Sequence, residues 1–329
     1  MSSQEQPLLS VRDLVLEFKT EAGLVRAVDG LNFDIMPGET VGLVGESGCG
    51  KSITSMSILG LVPMPPGRFG PKSSIKFKGK ELVGRSEAEL RKIRGREISM
   101  IFQEPMTALN PVFTIASQME SVLMRHMKLS RRAAHMEAIK MLELVGIPAP
   151  ETRIKDYPHQ LSGGMRQRVM IAMALSCDPS LLLADEPTTA LDVTVQAQVM
   201  EQMAKLQKER GMATILVTHD LAVIAEFCRK VIVMYCGKIV EMADVEELFS
   251  HPKHPYTRGL LDSIPRIRDE KLDRLPTIEG TVPDLLDLPT GCRFFDRCGR
   301  ASNACEVAHP VLRPKGNGMV ACTHPHMEP

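Results

Sequence analysis

Eight consecutive residues, Gly45-Glu46-Ser47-Gly48-Cys49-Gly50-Lys51-Ser52, satisfy the spacing G-x-x-x-x-G-K-S/T directly after an apolar run and at the start of a helical one. Glycines in such a run let successive backbone N–H groups curl around phosphate oxygens at the positive end of a helix. Lys51 is expected on the β- and γ-phosphates of a nucleotide, and the Ser52 hydroxyl on Mg²⁺. A second element points the same way: the apolar run Leu181-Leu182-Leu183-Ala184 ends in Asp185 and Glu186. There an aspartate holds the Mg²⁺ shell and a neighbouring acid polarises water. A strand-terminal acidic pair alone is more often a solvated loop, but with a phosphate loop it marks a catalytic edge for phosphoryl transfer. A third group is the cysteines. Four of eight, Cys292, Cys298, Cys305 and Cys322, crowd the C-terminal stretch with five, six and sixteen residues between them.

These groups need elements to hold them. Leu8 to Phe18 and Val25 to Ile35 alternate apolar and polar residues, which predicts half-buried antiparallel strands. Thr40 to Val44, Ile98 to Phe102, Ser180 to Ala184, Ala213 to Thr218 and Lys230 to Tyr235 are nearly continuous apolar runs, as in strands covered on both faces. Helical patterns lie between them at Lys51 to Leu61, Ile115 to Met127, Arg131 to Val145, Met165 to Leu175 and Val193 to Arg210. Buried strands alternating with helices imply an α/β fold with a mostly parallel sheet. From about His251 proline and glycine become frequent and apolar periodicity fades, so residues 1–250 are expected to form the main domain and 251–329 an irregular extension.

Composition removes several classes. Forty Lys+Arg balance forty Asp+Glu over 329 residues, which argues against binding nucleic acid by charge. Aromatics are 4% with no Trp, against base-stacking platforms. With 43% hydrophobic residues the chain is expected to be globular, and no stretch approaches the roughly 18 apolar residues of a membrane span. Met1 to Pro7 lacks the basic and apolar regions of a signal peptide, so a cytoplasmic location is expected.

Leu161-Ser162-Gly163-Gly164-Met165, followed by Arg166-Gln167-Arg168 just upstream of the acidic strand, resembles the signature of the ATP-binding subunits of ABC transporters. Ser162, Gly163 and Gly164 at a helix start form a second anion-binding end. The resemblance implies that two such subunits face each other head to tail, each signature closing on the ATP held by the opposite loop. It also implies roles for Gln103, on metal and attacking water, for His219, near the γ-phosphate, and for Ala190-Leu191-Asp192, linking the two sites. Phe18 falls where the family stacks an aromatic on adenine, though it is equally a strand residue of the core. Mg²⁺ would be held by Ser52, Gln103 and Asp185. The family's helical subdomain corresponds to about 104–165, with an antiparallel β subdomain earlier in the chain, and its groove receives a permease.

His254-Pro255-Tyr256-Thr257 and the helical Arg258 to Ser263 resemble the C-terminal extension of dipeptide and oligopeptide importer ATPases, a group whose nickel and glutathione branches carry similar tails. Stable disulfides are disfavoured in a cytosolic chain, and structural zinc ordinarily shows closer cysteine pairs. Members of the peptide-importer group hold a 4Fe–4S cluster at such spacings, which Cys292, Cys298, Cys305 and Cys322 would ligate here; zinc and unligated thiols remain the alternatives. The resemblance further implies two permease subunits, a second ATP-binding subunit, identical or paralogous, and an extracytoplasmic solute-binding protein, with this chain peripheral on the cytoplasmic face of the membrane. A soluble ABC ATPase acting on nucleic acid or the ribosome is the rival reading, disfavoured by the single phosphate loop and the balanced charge.

Overall fold

The computed structural model describes residues 6–104, 108–189, 191–264 and 277–326. Ala190, a small part of the expected helical subdomain and two stretches of the extension thus lie outside the described residues. The chain divides into two compact units. One comprises Met1–Leu8, Ile35–Thr40 and Gly84–Val217; the other comprises Leu9–Asp34, Val41–Val83 and Thr218–Pro329.

In the first unit the strands Ile98–Ile101, Leu181–Asp185 and Ala213–Val217 run parallel in that order, with Ile98 opposite Leu181 and Leu181 opposite Ala213. Every residue of the three is buried. Strands covered on both faces have no polar side to display, which is why they read as apolar runs. The long helices start where a short polar side chain accepts a first-turn N–H: Thr114 for Ile115–Met127, Ser130 for Arg131–Leu144, Ser162 for Gly163–Leu175 and Asp192 for Val193–Arg210. Met119, Met141, Met170 and Met203 are buried core residues, whereas Met124, Met127 and Met136 are exposed.

The second unit contains the antiparallel sheet expected early in the chain. Leu9–Thr20 lies beside Gly23–Ile35 and pairs antiparallel with Gly67–Phe69 and Ser74–Phe77. Its alternation slips by one residue: Leu9 and Val11 are buried, then Leu14 and Leu16, and Asp13 at φ 44° absorbs the extra position. Thr40–Val44 runs parallel to Lys230–Tyr235, which turns through Cys236-Gly237 into the antiparallel Lys238–Asp244.

The C-terminal extension is more regular than its sequence suggests. Its described residues supply the helices Pro255–Asp262 and Asn303–Val307 and two strands, of which Gly318–Val320 pairs with Lys238–Asp244 and Arg313–Lys315 pairs with Gly318–Val320. Three-residue strands are too short for a period of two to register, and Pro314 masks the outer one.

Buried hydrogen bonds fix the entry into this extension. Glu241, 1% exposed, accepts the N–H groups of Lys253 and His254 at 2.8 Å each. His254 Nδ1 in turn accepts the N–H of Tyr256 at 3.0 Å and caps the helix Pro255–Asp262. Burial, aided by the charges of His309 and His326, pushes His254 from 6.5 down to about 3. Burial, aided by Lys238 and Arg293, pushes His309 down to about 4. Both rings are therefore neutral in the fold and take up protons on unfolding at mildly acid pH, so stability is complete above about 6.5 and is lost as pH falls toward 4 and 3. The melting temperature is expected to drop between about pH 7 and pH 5, and to drop less in His254→Asn, which keeps an acceptor for Tyr256. Equal pH slopes in the two chains would show that His254 titrates alike in both states.

Candidate functional site

The phosphate loop lies in the second unit, between the strand Thr40–Val44 and the helix Lys51–Ile58. Gly45, Gly48 and Gly50 take φ values of 149°, 79° and 101°, of which the latter two are clearly left-handed and the first is reached only without a side chain. Lys51, 8% exposed, bends back over its own loop and donates to the carbonyls of Gly45 at 2.7 Å and Glu46 at 3.0 Å. Its amine thus sits against the main chain of its own loop. Cys49 is buried, and burial pushes its thiol pKa up although Lys51 beside it opposes the shift. His219, in the same unit, is exposed, and its neighbour Asp220 caps the helix Leu221–Phe227 by accepting from Ala222 and Val223. Phe18 is half-buried and faces Gly67 across the sheet; a Cβ on Gly67 would meet its ring at 3.4 Å.

The acidic pair lies in the first unit, at the end of the buried strand Leu181–Asp185. Asp185 is 3% exposed. Glu186 takes φ 46°, an uncommon conformation for a glutamate. Its N–H donates to Val217 O at 2.8 Å, and its carboxylate accepts from Gln103 Nε2 at 3.0 Å and Thr189 Oγ1 at 3.1 Å. The structure thereby brings together Gln103 and Glu186, 83 residues apart. The signature is in this unit too: the Ser162 hydroxyl caps the helix Gly163–Leu175, and a Cβ on Gly164 would come within 3.3 Å of Leu191.

Cys292, Cys298, Cys305 and Cys322 line one small cleft of the second unit with His254 and Phe294. All eight cysteines are free thiols. Gly291 permits the close approach: Cys292 N–H donates to Cys305 O at 2.7 Å, and a Cβ on Gly291 would stand 2.1 Å from that oxygen. Burial and then the charge of the other cysteines push up Cys292 and bring Cys322 to about 11, while burial raises Cys298 with Cys305 adding to it. Among the described residues no three His, Cys, Asp or Glu side chains stand in metal-ligating geometry. The four cysteines line one cleft without forming a ligand shell.

Four residues make contacts that the sequence did not assign to them, two in each unit. Gln167, 0% exposed on the signature helix, donates its side-chain amide to Pro187 O and so ties the signature to the turn after Glu186. A polar residue on the inner face of a helix was its signal. Thr189 sits three places after Glu186, within reach of a turn. Arg297 and Tyr256 reach Glu46 from 251 and 210 residues away, and no local pattern records such a contact.

Known proteins of the same build exist. The family model described as ABC transporter matches residues 28–189, and that of the oligopeptide/dipeptide transporter C-terminal region matches 240–305. The chain is 51% identical to the dipeptide transport ATP-binding protein DppD of Bacillus subtilis over 93% of its own length and 90% of that protein. It is 53% identical to the oligopeptide transport ATP-binding protein OppD of the same organism, over 89% and 82% of the two chains. Among solved structures it resembles the dimeric ATP-binding cassette MJ0796 in a post-hydrolysis state with ADP and Pi, at a TM-score of 0.66 and 28% identity, over 72% of this chain and 98% of that one.

The buried Gln167 contact carries a prediction. Gln167→Leu keeps the volume but leaves the Pro187 carbonyl without its donor, and is expected to lower stability by about 1–3 kcal/mol, read as a lower urea midpoint at unchanged slope. A wild-type midpoint would show that the contact is idle.

Proposed function

Since the chain belongs to the ABC transporter family, as one of its ATP-hydrolysing subunits, we propose that it powers the import of di- or oligopeptides. Supporting this are a cassette match followed by a peptide-transporter C-terminal match in one chain and the names of its half-identical relatives. Nickel and glutathione, carried by importers of the same group, are the alternative solutes. No helix among the described residues is long and apolar enough to cross a membrane. In this proposal the chain works peripherally at the cytoplasmic face of the membrane, on two permease subunits. A second ATP-binding subunit, identical or paralogous, faces it head to tail, and an extracytoplasmic binding protein delivers the solute. Residues 1–250 form the ATP-binding domain and 251–329 the extension.

The chemistry proposed for the site follows from its donors and acceptors. Lys51 and the loop amides bind the phosphates, Phe18 stacks on adenine, and Ser162, Gly163 and Gly164 serve the nucleotide of the opposing subunit. Mg²⁺ supplies neutralising charge at the phosphates when bound, and Ser52, Gln103 and the buried Asp185 are the oxygen donors suited to it. Glu186 accepts a proton from the attacking water, His219 holds the γ-phosphate, and the carboxylate of Glu186 is aimed by the Gln103 amide and the Thr189 hydroxyl. That aimed carboxylate is the observation on which the hydrolytic reading rests.

The four thiols are proposed to ligate a 4Fe–4S cluster. Supporting this, the four cysteines line one cleft, and burial with the charge of neighbouring cysteines raises the thiol pKa of Cys292, Cys298 and Cys322, which positive charge entering among them would offset. Such a centre would staple an extension that has few apolar residues of its own.

Two measurements test these readings. Glu186→Gln is expected to lower steady-state ATP hydrolysis by about 10²-fold or more while ATP still binds and a closed dimer accumulates; normal turnover would remove Glu186 from its role. Anaerobic purification of the full chain is expected to give a brown protein with about four iron and four sulfide, whereas a colourless, zinc-loaded protein would refute the cluster.

A further inference from the structure

Two side chains from the C-terminal extension close on the phosphate loop, and both take hold of Glu46. Arg297 donates Nη1 and Nη2 to the two carboxylate oxygens of Glu46 at 2.7 and 2.9 Å. Its side chain is only 4% exposed. It also donates to the Tyr235 hydroxyl at 3.2 Å and, through Nε, to Glu279 O at 3.0 Å. A planar guanidinium held at so many points has one orientation, and the carboxylate it grips has one as well. Tyr256, fully buried, accepts the N–H of Glu46 on its hydroxyl at 2.8 Å. Tyr235, Tyr256 and Phe294 back both grips, with ring centroids 4.7 to 5.4 Å apart.

Glu46 is thus held by main chain and side chain at once, and its own carbonyl accepts from Lys51 Nζ at 3.0 Å. The contacts run without a gap from Arg297 and Tyr256 through Glu46 to the amine that meets phosphate. Charge gives the arrangement a purpose. A loop that receives a polyanion carries a carboxylate at its second position, and a free carboxylate there repels phosphate over a short, poorly screened distance. Paired with a buried cation it is neutralised and turned toward the extension. Taking the Arg297 guanidinium out of water is expensive in desolvation, and an apolar prop would hold the loop without that cost. An ion pair is the solution when a charge must be cancelled as well as a loop held.

We propose that Arg297 and Tyr256 are positioning residues of the nucleotide site, through which the C-terminal extension clamps Glu46, cancels its charge and sets the affinity for ATP. The proposal deepens the reading of the loop as an ATP site and rests on it. The clamp also meets the cysteine cleft, since Arg297 adjoins Cys298 and Tyr256 follows His254 by two residues, and both Cys298 and His254 line that cleft.

The test is equilibrium binding of a fluorescent ATP analogue with Mg²⁺ to the full-length chain, with melting temperatures recorded for each variant. Arg297→Met is expected to weaken binding about tenfold at low salt, and the defect is expected to shrink as KCl is added. Adding Glu46→Gln to Arg297→Met removes the exposed charge and is expected to restore binding to within about threefold of wild type, a rescue no mere loss of packing would allow. Tyr256→Phe is expected to weaken binding about threefold with no salt dependence, because it orphans an amide and leaves charge alone. Should Arg297→Met fail to fold, Arg297→Lys, which keeps the charge and loses the fork, is expected to weaken binding by a smaller factor. Wild-type affinity in Arg297→Met or Arg297→Lys, or a defect that Glu46→Gln leaves unrelieved, overturns the clamp. Lys51→Ala separates the two readings: undiminished binding there overturns the loop itself as the ATP site, whereas lost binding with intact Arg297 variants overturns the clamp alone.

Discussion

A main chain that must pass where no side chain fits governs the phosphate loop and much of what surrounds it. A Cβ on Gly45 would stand 2.2 Å from Met234 O, and one on Gly50 would stand 2.7 Å from Ala27 O. Neither oxygen is free to move, because one belongs to the buried strand Lys230–Tyr235 and the other to Gly23–Ile35. Gly237, in the turn after the first of these strands, donates its N–H to Cys49 O at 2.9 Å and would itself meet Ala27 O at 2.8 Å with a Cβ. The loop is therefore moulded by backbone on several sides before any functional side chain is considered. Lys51 then inherits a position in which its amine has main-chain carbonyls to reach.

Glu186 shows the opposite strategy. Its loop is not moulded by absent side chains but forced by hydrogen bonds into φ 46°, at a cost of about 1–2 kcal/mol for a residue with a Cβ. The N–H bond to Val217 and the two donors on the carboxylate over-determine that conformation. Gln167 holds the next peptide by donating to Pro187 O. A strained acid is kept in one place because three different segments each specify it.

The sequence was most informative where function imposes local geometry. The phosphate loop, the acidic strand end and the signature announce themselves because each needs particular residue types at fixed spacing, and the buried parallel strands announce themselves because water touches neither face. What stayed hidden depends on long-range pairing. Arg297 in a proline-rich tail looks like any solvated cation, yet its side chain is almost wholly buried. The slip at Asp13 blurs the alternation of the first strand, and the tail strands are too brief to show a period at all. The four cysteines were conspicuous as a group, and their shared cleft follows from a close backbone approach at Gly291 that spacing alone does not encode.

The last strand pair has a meaning of its own. Lys238–Asp244 would present a row of open amides and carbonyls over the buried Ile239 and Val240, the kind of border along which sheets of separate molecules fuse. Gly318–Val320 covers that border along Glu241 to Ala243, and the strand laid outside it, Arg313–Lys315, is three residues long, carries two cations and has a proline that donates nothing. The tail thereby ends this side of the sheet in a form ill suited to recruiting another strand, which guards against edge-to-edge aggregation.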